Sequence, residues 1–309
     1  MNREKDSMQS DFQKMRDWAL IMNAHFHFSV FKSKVINNTI KYDGTDTLLN
    51  EIDKYVLSDS GSQFHKTIEV GTELYRARVI SPEEINNLSG ISVDKVNGEY
   101  ITHGYDESNS RECPLGIGSA GRNNIAGVSY LYLANSPEVA CAEVKPPLLS
   151  LISVATFKVK RPIVIVDFSE DKAFEPSDSI SDNLALGPFF TLIMRQYFEP
   201  IHNDSDYKAT QIITDHIRKS GVDGIAYRSN YHTGGVNYTI FNSNRESFEF
   251  VESKAFMFQS QQHNFCDFDK KMILSTQSQE TSGYDAKLSD DILEKLYKRR
   301  HPPTWDDFG

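Results

Sequence analysis

The sequence predicts an α+β fold, and three observations predict it. Short segments with period-two alternation outnumber helical ones, as expected of strands with one buried face. The segment IVIVDF, Ile163 to Phe168, is continuously apolar and reads as a strand buried on both faces. Helical patterns are few after the first 70 residues, and they do not alternate regularly with strands as a doubly wound sheet would require.

The elements follow in order. Residues 1–70 form an N-terminal helical extension. It contains an amphipathic helix around Asp11 to Asn23, then the apolar stretch HFHFSVF, in which His25 and His27 would share one side of a strand. A second helix covers Thr47 to Leu57, and SDSGSQ at Ser58 to Gln63 reads as a linker. Residues 71–258 hold strands near Glu73 to Val79, Val128 to Ala134, Leu151 to Val159, Ile163 to Phe168, Val222 to Tyr227, Tyr238 to Phe241 and Ser247 to Val251. Ser81 to Ser119 is long and polar and reads as a mobile loop covering the site. Three helices are expected. Ser136 to Val144 has a serine cap, Pro137 in its first turn and Glu138 at its positive end. Pro188 to Glu199 follows. Asp206 to Lys219 carries Ala209, Ile212, Ile213 and Ile217 on one face, with Gly221 just beyond. Residues 259–309 form a polar tail ending in a helix from Ser289 to Arg300. That tail reads first as peripheral packing; its alternatives are a partner-binding segment, a cover for the site or a homodimer contact.

Composition excludes several classes. With 309 residues there is enough chain for a sizeable core, in one or two domains. A net charge of −10 and the lack of a basic stripe argue against direct binding to nucleic acid. No apolar run approaches the roughly 20 residues of a membrane helix, and the polar start is unlike a secretory signal. A cytoplasmic location is therefore expected. The three cysteines, Cys113, Cys141 and Cys266, are widely spaced and read as reduced thiols. The pair His25 and His27 lacks further ligands, so no metal is expected. GIGSAG, at Gly116 to Gly121, has the glycine spacing of a dinucleotide fingerprint but does not follow an expected strand, and it reads as a flexible approach to Arg122.

Chemistry concentrates between Gly121 and Val144, GRNNIAGVSYLYLANSPEVACAEV. Here a loop, a strand and a helix each carry a polar group: Arg122, Tyr132 and Glu143. Val139, Ala140 and Val144 face the core, so the Glu143 carboxylate needs a partner. The loop arginine and strand tyrosine are the obvious ones. On spacing alone such a pair is more often a structural ion pair than a catalytic site.

Other segments extend the pattern: Tyr75-Arg76 in ELYRAR, Thr210-Gln211, the strand and turn Gly221 to Ser229, and Gly235, Asn237 and Phe241. Taken with Gly121-Arg122, Gly127, Leu131 to Ala134 and Glu143, this ordered series resembles the RES domain family over about residues 71 to 252. One position departs from the family pattern: Asn123 stands where an aromatic residue usually follows the arginine. The resemblance implies a fold like that of ADP-ribosyltransferases and an enzyme that degrades NAD by hydrolysis or phosphorolysis, with transfer of ADP-ribose to a protein as the alternative. It also implies a toxin, held in check by a helix-turn-helix antitoxin. A module that binds a nucleotide or partner without turnover is the non-enzymatic alternative.

The residue types fit that chemistry. Cleavage of the nicotinamide–ribose bond passes through an oxocarbenium-like transition state, which one carboxylate can stabilise; Glu143 is the candidate. Arg122 and Arg76 supply fork geometry for a diphosphate. Tyr132 offers a flat face and a hydroxyl, and Tyr75 is a further candidate substrate contact. Ser229 can orient a ribose or amide group, and Asn237 is a candidate substrate contact. The plainer alternatives are a strand-edge role for Arg76, core packing for the tyrosines, and turn roles for Ser229 and Asn237.

Overall fold

The computed structural model describes residues 2–41, 45–58, 63–86, 92–96, 99–170, 186–198 and 207–258. All of them lie in one compact unit, Met1–Ser260. The tail and its expected helix, Ser289 to Arg300, fall outside the described residues.

The helices are α1 (Asn2–Ile36), α2 (Thr47–Ile52), α3 (Pro82–Asn86), α4 (Glu107–Ser110), α5 (Pro137–Glu143), α6 (Leu186–Phe198) and α7 (Tyr207–Lys219). The strands are β1 (His65–Ile68), β2 (Glu73–Ile80), β3 (Ser92–Val96), β4 (Glu99–His103), β5 (Leu131–Ala134), β6 (Leu151–Val159), β7 (Ile163–Phe168), β8 (Gly224–Arg228), β9 (Val236–Ile240) and β10 (Phe248–Met257). These make one sheet in the order β1-β7-β8-β9-β5-β2-β6-β10-β4-β3. Every pairing is antiparallel except β7 with β8, whose connection runs through α6 and α7. A mixed, mainly antiparallel sheet with helices outside it is the predicted α+β class.

Three packed layers hold the sheet. One face of the β7–β8 half is covered by α1, α2, α6 and α7. There Phe31, Leu49, Ile52, Phe190, Ile193, Ile213 and Ile217 bury against Val166, Phe168, Ile225 and Tyr227. Helix α5 covers the same face farther along, with Val139 and Ala140 on Ala77, Ala134, Ile152 and Val154. The opposite face buries Leu74, Leu131, Leu133, Phe157, Ile163, Ile165, Ile240 and Phe248, all of them strand residues. Among the described residues, no helix residue belongs to that cluster. The seam between the sheet's halves is narrow: β2 meets β5 through the single pair Tyr75 and Ala134.

Three expectations need correction. HFHFSVF is not a strand; it lies inside α1. The residues that reach the core, Ala24, Phe28, Phe31 and Val35, recur at helical spacing, and this burial decides the conformation. Met15, Trp18, Met22, Phe26 and Val30 form a second apolar stripe, exposed on the other side of the helix. The expected loop from Ser81 to Ser119 instead contains α3, the hairpin β3–β4 and α4. Its later part is fastened to the sheet: the Tyr105 N–H donates to Ser153 Oγ at 2.8 Å, and Arg111 donates to the carbonyls of Ser243 and Phe248. The strand expected from Val128 begins only at Leu131. Asn124 Nδ2 captures the Val128 carbonyl at 2.7 Å, so the preceding residues belong to a loop.

Helix α2 follows its expected start, with Asp46 capping the N–H groups of Leu48 and Leu49, and it ends in a π-helical turn from Asp53 to Leu57. No described helix is long and apolar enough to cross a membrane.

Phe190 ties the helical layer together, its ring 5.2 Å from Phe64 and 6.3 Å from Tyr55. Phe190→Ala leaves a cavity between α6 and the N-terminal elements, with an expected loss of about 3–5 kcal/mol. Urea unfolding of the two proteins checks this, and an unchanged midpoint contradicts the packing described.

Candidate active site

The Glu143 carboxylate closes α5. Ser136 caps the helix, its Oγ accepting from the Val139 N–H at 3.3 Å, and Pro137 occupies the first turn. Lys145, just past the helix end, takes a positive φ of 46° and turns the chain away.

The expected partners of Glu143 are replaced by two others. Ser229 Oγ donates to Glu143 Oε1 at 2.6 Å, and Asn237 Nδ2 donates to the same oxygen at 2.7 Å. Glu143 Oε2 takes no hydrogen bond from a described residue, which leaves one carboxylate oxygen uncommitted. Ser229 does belong to a turn, since its Oγ also accepts from the Tyr231 N–H at 3.1 Å. The turn is compressed against α5 at Gly235. A Cβ there would come within 2.8 Å of both Ser229 Cβ and Val139 Cγ2, so only glycine lets the serine reach the carboxylate.

The sheet sets the rest by register. Tyr227, Asn237 and Ala134 lie in one row, and Tyr75 continues it onto β2. Ile225, Thr239 and Tyr132 form the next row on the same face, because positions two apart in a strand point the same way. Tyr227 lies between the charges of the site. Both Glu143 and Arg122 act on its hydroxyl, and burial pushes its pKa up to about 12. Tyr132 does not bond to Glu143. Its hydroxyl donates to Asn124 Oδ1 at 2.5 Å, and burial raises its pKa well above the usual value.

Arg122 projects from the loop before β5. Its Nη1 donates to the Gln196 carbonyl in α6, and its guanidinium stands 5.8 Å from the Tyr207 ring. Asn123 turns inward and is buried. Its Nδ2 donates to Thr239 Oγ1 at 2.5 Å, and its Oδ1 accepts from Thr214 Oγ1 at 3.4 Å. A buried polar chain therefore fills the position that an aromatic side chain would take. Glycine at 121 is needed for close approach as well: a Cβ there would lie 2.8 Å from Asn124 Oδ1 and 3.3 Å from the Tyr132 hydroxyl.

The two β2 candidates separate. Tyr75 shares the α5 face, packed at the edge of the cluster that contains Ala77, Val139 and Ala140. Arg76 pairs with Ala155, and strand alternation sends it to the same face as Leu74 and Phe157. Its Nη1 is buried without a hydrogen-bond partner, and burial next to Arg78 lowers its pKa to about 10. Glu112 and Tyr132 are close enough to oppose that shift. The structure thus groups Glu143, Ser229 and Asn237 by direct contact, with Arg122 and Tyr132 around Tyr227, and leaves Arg76 on the alternate register.

No group of three or more His, Cys, Asp or Glu suited to a metal occurs among the described residues. Cys113 and Cys141 are free thiols. Sequence reasoning missed Tyr227, Asn124 and Thr239. Tyr227 had a signal, since it sits two residues before Ser229 in the same strand segment.

A half-buried carboxylate held by two neutral donors and an arginine on the loop before β5 are the charged groups of the candidate site. The family model described as the RES domain matches residues 103–263, more than half of the chain. The chain belongs to the RES domain family. Among solved structures, it is similar to that of the M. tuberculosis MbcT-MbcA toxin-antitoxin complex. That similarity is at 14% identity, covering 68% of this chain and 91% of that one, with a TM-score of 0.34. No curated protein matches the sequence.

The buried tyrosines give an alkaline prediction. The Tyr227 pKa rises from 10.0 to about 12, so its protonated form stabilises the fold fully below pH 10. That contribution fades between pH 10 and about 12, because the unfolded chain ionises first. Tyrosinate absorbance should show a second phase near pH 12 that coincides with loss of the circular-dichroism signal. In Tyr227→Phe the amplitude of that phase should fall; an identical titration would contradict the burial.

Proposed function

We propose that this protein consumes NAD, cleaving the bond between nicotinamide and ribose, and that it acts as a bacterial toxin or defence effector. Membership of the RES domain family supports this reading, and one observation carries it. Ser229 and Asn237 hold Glu143 Oε1, while Oε2 takes no hydrogen bond from a described residue.

The chemistry needs little more. Nicotinamide departs as a neutral group, so no general acid is required. Positive charge then develops on the ribose, and the uncommitted oxygen of Glu143 stabilises it or holds a ribose hydroxyl. Arg122 carries the diphosphate, with bidentate geometry suited to paired phosphate oxygens. The Tyr132 ring supplies an apolar face for nicotinamide or adenine, while its hydroxyl is fixed by Asn124. Tyr75 lines the α5 side. Arg76 belongs to the site as a second phosphate ligand only if the sheet seam at Tyr75 lets substrate reach its register. With water as acceptor the products are nicotinamide, ADP-ribose and a proton; with phosphate, the sugar phosphate replaces ADP-ribose.

In this reading NAD is a substrate, and no metal takes part. The partner expected is a small helix-turn-helix antitoxin, and the core has the ADP-ribosyltransferase arrangement.

The test compares wild type with Glu143→Gln in NAD, with and without phosphate, following nicotinamide release and the ribosyl product. Glu143→Gln should lower kcat by about 10²-fold or more, the scale on which loss of one transition-state contact registers. Its unfolding midpoint should stay close to wild type, because glutamine retains an acceptor oxygen. Dependence on phosphate assigns phosphorolysis. Labelling of an added protein lysate without free ADP-ribose would assign protein transfer. Equal nicotinamide release by the two proteins would refute the role of Glu143. Binding of NAD with no release under any condition would make the protein a non-catalytic module.

A further inference from the structure

The Gly121–Asn124 loop turns three of its backbone carbonyls toward α7. Thr210 Oγ1 donates to the Arg122 carbonyl at 2.7 Å. Gln211 Nε2 donates to the Gly121 carbonyl at 2.8 Å and to the Asn124 carbonyl at 3.0 Å. The Gly121 N–H closes the turn on the same Asn124 carbonyl at 2.9 Å. A primary amide has two N–H donors, and here both go to the two ends of one turn. Thr210 is less specific, since its hydroxyl also donates to the Tyr207 carbonyl within its own helix at 3.0 Å. Gln211 makes no contact with Glu143, Ser229 or Asn237 in these hydrogen bonds. Its amide is spent on the loop that presents Arg122.

We infer that Gln211 is a positioning residue for Arg122, acting through the Gly121 and Asn124 carbonyls to fix the loop before substrate arrives. The inference rests on the proposed role of Arg122 as a diphosphate ligand. The physical reason is preorganisation: a loop ordered only on binding gives back part of its contact energy as lost entropy. Helix α7 avoids that loss because it is itself seated in the core by Ala209, Ile213 and Ile217. The guanidinium then reaches the Gln196 carbonyl from a fixed backbone. Removing the amide donors takes this partner from the Gly121 carbonyl and one of two from the Asn124 carbonyl, and it frees the turn from α7. A displaced ligand group of this kind costs on the order of ten- to a hundred-fold. If Arg122 grips substrate equally in ground and transition states, the loss appears in KM and not in kcat.

The experiment uses Gln211→Met, which keeps the side-chain length and deletes both donors, together with Arg122→Ala and the double variant. Gln211→Met should raise KM for NAD about ten-fold or more with kcat within about twofold. The double variant should be no worse than Arg122→Ala alone, because a residue that acts only through Arg122 has nothing left to position. A wild-type KM for Gln211→Met, or penalties that add, would overturn the inference. Gln211→Lys restores a donor and should return KM to within about threefold of wild type; a ten-fold rise there also overturns it, even if the methionine variant fails to fold. A second readout needs no substrate. The Arg122 Nε–H resonance, sharp in wild type, should broaden in Gln211→Met, and an unchanged line refutes positioning. If wild type neither binds nor cleaves NAD, the NAD reading fails, and this resonance alone decides whether Gln211 orders the loop.

Discussion

The site is organised by a solvation problem. A half-buried carboxylate at the end of a helix seated on the core by Val139 and Ala140 needs polar partners, and Glu143 takes two neutral donors on one oxygen. Those donors come from either side of the turn between β8 and β9, so the turn must press closely on α5. That demand reaches into the chain at Gly235, where any side chain would collide with Ser229 and Val139. Helix, turn and strand are thereby fixed relative to one another by a single half-buried group.

Arginine placement follows a different logic. Arg122 contacts Glu143 through no hydrogen bond, and its nearest relation to that carboxylate is through Tyr227, on which both charges act. Keeping the two charges apart is chemically useful. Under the proposed NAD cleavage, an arginine paired to the carboxylate would neutralise the group that meets the developing cation. The neutral residues Asn123, Asn124, Thr239 and Gln211 hold the arginine's loop against the sheet and α7.

Much of this was legible in the sequence. The cap at Ser136, the proline after it and the apolar pair Val139 and Ala140 located α5, and hence Glu143, from local rules alone. The amphipathic face of α7 was equally plain. What could not be read was pairing across long separations: Ser229 and Asn237 meet Glu143 from 86 and 94 residues away, and no local spacing encodes that. The HFHF stretch misled for a specific reason. Phe26 is 65% exposed and Phe28 is 5% exposed, so the alternation of a strand appears on a helix that carries apolar residues on two opposite sides. The register of Arg76 was illegible for a related reason, because the Tyr75-Arg76 pair must split across the two faces of β2.

Helix α7 carries a consequence of its own. One side of it is a wall of the hydrophobic core, and the residues Thr210 and Gln211 carry the loop of the site. Fold stability and ligand capture therefore share one structural member. Loosening the seat of Ile213 or Ile217 reaches the Arg122 loop through Thr210 and Gln211. If that loop holds an anion as proposed, the relation is reciprocal, and occupancy of the site and integrity of the helical layer rise and fall together.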